Sequence, residues 1–249
     1  MEFLSDNYVI LILVCAITVI SSFIQGTTGF GFGIFAMIFL PHILLYTEAN
    51  VLSTMLSSLT SLLVCVVGFK KINWKNTVFP VLGCVISTYL AVAFIKTQSS
   101  EMLSLLLGVA LFLLSIYFFF FSDKIKIRPT WYAGLIAGIL SGIMGGMFSI
   151  GGPPVVVYYM QSEDDPKSYV TTISAYFVLS GIVSIASKAA MGFVTSYVLW
   201  GLVIGIIGMV IGSFAGKRVR DKVKPKMMRK IVYGFMAISG IINIITATI

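Results

Sequence analysis

Gly145-Gly146-Met147-Phe148-Ser149-Ile150-Gly151-Gly152-Pro153-Pro154 interrupts an apolar run that covers residues 131–160. About 20 helical residues cross the roughly 30 Å of bilayer hydrocarbon, so this run is too long for one simple span. Glycine and proline in its middle break the helix rather than lengthen it. A second run, residues 8–45, is broken by Gln25-Gly26-Thr27-Thr28-Gly29-Phe30-Gly31-Phe32-Gly33. Clean apolar segments follow the first break at about 49–69, 77–95 and 102–121, and the second at about 169–187, 196–216 and 228–248. The plan is therefore one interrupted element plus three clean helices, written twice.

Composition agrees with that plan. The chain has 249 residues, of which 58% are hydrophobic and only 10% charged, with a mean hydropathy of +1.03. Soluble domains carry about 25% charged residues. Strand-like alternation is absent, so the expected class is all-α, a polytopic integral membrane protein rather than a barrel. The first apolar segment lacks a basic leader and a small-residue cleavage site and is read as a retained span. Cys15, Cys65 and Cys84 match no metal or redox spacing and read as small buried hydrophobes. No metal and no cofactor are expected, and no catalytic constellation is present.

The net charge of +8 could point to nucleic acid, but its distribution points to a membrane. Of 17 Lys and Arg, 14 fall in the stretches 70–75, 124–128 and 217–230, as cytoplasmic loops do. All three lie on one side if each interrupted region crosses twice, or enters and returns. The halves, 1–122 and 123–249, are then inverted, with Lys70 inside and Lys188 outside. Eight plain spans with parallel repeats are the rival. Sliding the chain by 118 residues aligns Phe30 with Phe148, Gly33 with Gly151, Thr54 with Thr172, Lys70 with Lys188 and Gly83 with Gly201, which supports duplication.

The breaks are where chemistry is expected. Unpaired backbone in hydrocarbon costs several kcal/mol per group, so a break survives only inside protein or beside a cavity. Gly31, Gly33, Gly151 and Gly152 allow positive φ and close approach of a ligand, and Pro153 and Pro154 suit the first turn of a new helix. The half-helix after each break presents free N–H groups and a positive dipole end, which is an anion site. Thr27, Thr28 and Ser149 add hydroxyls and Gln25 an amide. Close helix packing is the plainer explanation of any single glycine.

Residues 25–33, and more specifically Gly145 to Tyr158 with its Gly-Gly-Met-Phe-Ser-Ile-Gly-Gly-Pro-Pro core, resemble the TauE/SafE sulfite-exporter family, also called the toluene-sulfonate uptake permease family. The resemblance extends over nearly the whole chain. It implies a permease for a small sulfur-containing anion such as sulfite, sulfoacetate or another organosulfonate, in the inner cell membrane of a prokaryote. It implicates Gly29, Gly31, Gly33, Gly151, Gly152 and Pro153 in the site. The substrate, the direction and the coupling are left open, and a homo-oligomer is compatible with it.

The bottom-up expectation is an anion held between two helix N-termini without a full positive charge, since no Lys or Arg is read as lying deep in a span. An anion channel, or a carrier for another small organic anion, uses the same features. Lys70 and Lys188 read as snorkelling anchors at equivalent helix ends. Thr54, Ser57, Ser58, Thr171, Thr172, Ser174 and Tyr176 read as interhelical hydroxyl faces, and His42 as interfacial. Gly83→Ala and Gly201→Ala, in clean spans, test packing only and are expected to be much milder than valine at Gly33 or Gly151.

Overall fold

The computed structural model describes residues 8–120, 128–163, 165–219 and 225–248, the side chains of 225–232 and 247–248 excepted. Most of the 124–128 stretch, residues 220–224 and Asp164 therefore lie outside the described residues. The described chain is helical, with no strand. In order it forms α1 (Tyr8–Thr28), α2 (Phe32–Phe39), α3 (Tyr46–Gly68), α4 (Trp74–Lys96), α5 (Ser100–Phe120), α6 (Trp131–Phe148), α7 (Gly152–Ser162), α8 (Pro166–Ala190), α9 (Ser196–Val219) and α10 (Pro225–Thr248). Seven of these, α1, α3, α4, α5, α6, α8 and α9, are long and apolar enough to cross a membrane. The protein is a polytopic membrane protein. Each long interrupted region resolves into a full helix and a short one.

Local chemistry sets the helix ends. Asn73 and Asp165 accept hydrogen bonds from the backbone N–H groups of Asn76 and Ser168 at the starts of α4 and α8, and Pro166 occupies the first turn of α8. Such caps satisfy donors that a helix leaves free. Thr130 does the same for Ala133 in α6.

The second break turns the chain back on itself. Ser149 ends α6 in the left-handed region at φ 59°. The N–H groups of Ser149 and Ile150 return to the carbonyls of Gly145 and Met144, a Schellman-type stop. The Ser141 hydroxyl donates to the Gly151 carbonyl, and a Cβ on Gly134 would sit 3.1 Å from the Tyr158 hydroxyl. So α7 runs antiparallel beside α6: the chain enters and returns. Its far end is tied to the start of α4, where Asn76 Nδ2 donates to the Ser162 carbonyl at 3.1 Å and to Glu163 at 2.9 Å. At the same end Lys71 pairs with Asp165 at 3.9 Å.

The two halves are laced together. α4 packs parallel to α6, with Pro80 against Gly138 and Ala91 against Gly146. α9 packs parallel to α1, with Cys15 against Gly208 and Phe23 against Gly216. α3 and α8 run antiparallel, with Gly68 against Thr171 and Gly181 against Ser58. α5 and α10 are also antiparallel, with Gly108 beside Asn243 and Gly240 beside Phe112. Outward faces carry apolar side chains such as Val67, Ile86 and Phe214, while Thr18, Ser21, Ser53 and Ser61 are buried. That inside-out distribution is what a lipid solvent selects.

Four expectations are corrected here. Positive φ belongs to Gly29 (85°) and Gly31 (102°); Gly33 and Gly151 instead serve close approach, and Gly152 makes only ordinary contacts. Structurally Gly29 matches Ser149 and Gly31 matches Gly151, a different register from the one that pairs Gly33 with Gly151. Lys188 is not the counterpart of Lys70: Lys70 lies past α3 in an exposed turn, whereas Lys188 lies inside α8 and is fully buried. It is at the opposite end of the fold from Lys71, but its side chain does not reach outward. Lastly, Gly83 is a contact residue, because a Cβ there would overlap the Leu135 carbonyl oxygen of α6.

That last point separates two glycines that looked alike in sequence. At Gly201 an added Cβ meets only the flexible end of Leu52 at 3.0 Å. Gly83→Ala should push α4 off α6 and destabilise the protein by about 1–3 kcal/mol, while Gly201→Ala should stay near wild type. Thermal unfolding of purified protein in detergent checks the pair.

Candidate functional site

The two breaks meet. Gly33, in the first turn of α2, lies so close to Ser149 that a Cβ would overlap the Ser149 carbonyl oxygen. A cavity of about 70 Å³ opens between them, lined by residues of both breaks and by α3 and α8. At roughly 10–15 Å³ per water on this measure, it holds about five waters or one compact ion.

Helix α3 holds the second break in place. Tyr46, Asn50 and Thr54 are spaced by four and share one face. Tyr46 Oη and Asn50 Nδ2 both donate to the Met147 carbonyl, at 2.8 and 2.6 Å, and Thr54 Oγ1 lies 2.8 Å from Ser149 Oγ. On the other side the Tyr176 hydroxyl donates to Ser141 Oγ at 2.8 Å, and Ser141 in turn holds the Gly151 carbonyl. Carbonyls freed by the break thus find side-chain donors, as a buried break requires.

The half-helix starts are left open. Gly31 and Gly151 are the N-caps of α2 and α7, and neither cap has a side-chain hydrogen bond. Both line the cavity, with Gly33, Ile34 and Gly152 beside them. Both helix starts, with their positive dipole ends, therefore border the space. Pro153 is buried in the first turn of α7; with Pro154 it lacks an N–H, so the α7 end offers fewer donors than the α2 end. None of the lining residues is acidic.

The sequence candidates divide into two groups. Gln25, Gly31, Gly33, Ser149, Gly151 and Gly152 line the cavity; Thr27, Thr28, Gly29 and Pro153 do not. The Thr27 and Thr28 hydroxyls donate within their own turn to the Ile24 carbonyl, each at 2.8 Å. Gln25 Nε2 donates to Ser61 Oγ at 2.9 Å. Since Ser61 donates its own proton to the Ser57 carbonyl, the amide orientation is fixed. Gln25 Oε1 is left buried without a partner among the described residues.

Some lining groups escaped sequence reasoning. Ser180 and Ser184 of α8 line the cavity, and Ser184 Oγ is buried without a partner among the described residues. Behind them Lys188 Nζ donates to Thr54 Oγ1 at 2.5 Å. Contrary to the expectation, a lysine does stand inside the protein. The signal was present in the spacing Gly181, Ser184, Lys188, which places all three on one helix face. Glu48 is also buried, in the first turn of α3, where the Thr195 hydroxyl donates to it at 2.6 Å.

With this geometry in place, the comparison over the whole chain decides the family. The family model of the sulfite exporter TauE/SafE matches residues 13–242. The chain belongs to the TauE/SafE family. It is a membrane transporter rather than an enzyme. It is similar to a probable sulfite/organosulfonate exporter of Cupriavidus necator, 22% identical over 225 residues and covering 86% of each chain. It is also similar to a probable membrane transporter of Methanocaldococcus jannaschii, 23% identical over 183 residues, covering 69% of this chain and 68% of the other. No solved structure matches this TauE/SafE chain.

The meeting of the breaks yields a test. Gly33→Ala would force α2 away from the Ser149 carbonyl and open the cavity wall, so transport should fall at least about tenfold while membrane insertion persists. Gly152→Ala, whose Cβ would meet the Phe30 ring at an ordinary 3.5 Å, should keep most activity. Uptake into proteoliposomes, normalised to inserted protein, compares them.

Proposed function

We propose that this transporter carries a small sulfur-containing oxyanion, sulfite or a short organosulfonate, across the inner membrane of a prokaryote, binding it between the breaks. The observation that carries the reading is the non-acidic cavity lined by both uncapped helix starts. Such starts bind anions through free N–H groups and a positive dipole, and the hydroxyls around them donate to a compact acceptor with several oxygens. The similarity to a probable sulfite/organosulfonate exporter of Cupriavidus necator supports sulfur oxyanions among the anions that this geometry accepts.

The mechanism follows from the lacing of the halves. The antiparallel course of α3 against α8, and of α5 against α10, supports an inverted relation between repeats 1–122 and 123–249. Movement of one repeat against the other around the shared breaks opens the cavity alternately to each side. Gln25, Gly31, Gly33, Ser149, Gly151 and Gly152 form the binding surface in this reading. Thr27, Thr28, Gly29 and Pro153 shape the turns that hold it.

Two measurements test this. Proteoliposomes should accumulate labelled sulfite or sulfoacetate saturably, with stimulation by the same anion inside and little competition from acetate. Competition by acetate but by no sulfur oxyanion would overturn the substrate. Within that assay Ser184→Ala should weaken binding about fivefold, the worth of one neutral hydrogen bond near 1 kcal/mol, whereas Thr28→Val should leave affinity unchanged. For topology, single cysteines replace Lys71 and Ser196 in a cysteine-free protein. An impermeant reagent outside the cell should label position 196, and position 71 only after permeabilisation; labelling of both from one side would refute the inverted arrangement.

A further inference from the structure

We propose that Lys188 is the counter-charge for the transported anion, a binding residue parked on Thr54 while the site is empty. This rests on the anion-transport reading above and adds the group that sets the substrate's charge.

Burial is the first argument. Lys188 has 0% exposure. Among the described residues the only ion pair is Lys71 with Asp165, at the other end of the fold, so no carboxylate lies within 4.0 Å of the Lys188 ammonium. A buried cation without an anion is costly, in protein or in membrane. When protonated, Lys188 has three N–H donors, and among the described residues it makes one side-chain hydrogen bond, to Thr54.

The bonding around Thr54 is the second argument. Its one hydroxyl proton goes to the Asn50 carbonyl at 2.8 Å. It therefore accepts from Lys188, and the Ser149 hydroxyl donates to it. Thr54 and Ser149 both line the cavity. One hydroxyl thus joins the cation to the turn between α6 and α7, and an anion beside Ser149 lies one side chain away from the ammonium.

Direction is the third. Helical side chains lean toward the helix N-terminus. Lys188 is in the last turn of α8, so its stem runs back along the helix into the protein, on the face that carries Gly181 and Ser184 at the cavity wall. Two helix starts of about half a charge each, with one ammonium, give the site roughly two positive charges. That suits a singly or doubly charged oxyanion and repels cations.

The alternative is a strut that merely ties α8 to α3. Purified Lys188→Gln, Lys188→Met and Lys188→Arg proteins distinguish the two roles. Gln keeps a donor for Thr54 without the charge, and Arg keeps the charge. The probes are sulfite, isethionate, sulfate, chloride and acetate, read by calorimetric titration and by the anion-induced rise in unfolding temperature. For a counter-charge, both neutral variants lose at least about tenfold in anion affinity and lose the anion-induced rise. Their ligand-free unfolding temperature stays level or increases, because an uncompensated charge is gone. Arg retains measurable binding. Wild-type affinity in Gln or Met overturns the proposal, as does a ligand-free loss of stability in Met that Gln restores together with full binding. If wild type binds chloride or acetate instead and the neutral variants lose that binding, Lys188 keeps its role while the sulfur-oxyanion reading falls. If wild type binds none of the five, both fall.

Discussion

An apolar solvent offers no partner to a backbone N–H or C=O, and the two breaks in this chain are arranged around that constraint. Two helices stop inside the fold, and each stop frees carbonyls at one helix end and N–H groups at the next start. The carbonyls are taken up by side chains: Tyr46 and Asn50 on Met147, Ser141 on Gly151. The starts of α2 and α7 have no side-chain cap, and both border the cavity. The break thus treats its two kinds of backbone group differently: these carbonyls find side-chain donors, while the helix starts are left without side-chain caps.

Holding the breaks requires the halves to be laced rather than merely adjacent. α3 of the first half supports the turn of the second, and the long partners of α1 and α6 are α9 and α4, each from the opposite half. Glycines make the lacing possible. Gly138 and Gly142 bring α6 onto the backbone of α4, and Gly212 and Gly216 bring α9 onto α1. Without a strong hydrophobic drive between helices in lipid, such close packing and the buried hydroxyls carry the association. A motion that changes access must therefore slide these seams or pivot between them. Polar ties stand at both ends, Asn76 to Glu163 at one and Thr195 to Glu48 at the other, and each links segments from different halves.

The buried lysine illustrates how direction along a helix matters as much as position. A lysine near a helix end in a membrane protein is ordinarily expected to snorkel outward. At a C-terminal end the side chain leans back toward the N-terminus, and in α8 that direction is inward, to Thr54. Lys70 escapes the same fate because α3 has already ended at Gly68. Two residues that a sequence register made equivalent thus do opposite things.

Composition, the length of the apolar runs and the two glycine-rich interruptions were enough to determine a helical membrane protein, its element order and the segments that break, because solvent and backbone chemistry act on each stretch locally. Clean spans expected at 77–95 and 196–216 became α4 and α9 within a few residues. The breaks themselves were legible as interruptions for the same local reason. Which break residues face the cavity was not: Thr27 and Thr28 turn back to Ile24, while Ser180 and Ser184, far along α8, line it. Nor could spacing say that Gly83 touches Leu135 where Gly201 meets only a flexible leucine, or that Lys188 is inside. Those outcomes depend on which helix lies opposite each face. That is fixed by contacts between residues far apart in the chain, such as Gly83 with Leu135 and Lys188 with Thr54, and only the assembled tertiary structure decides them.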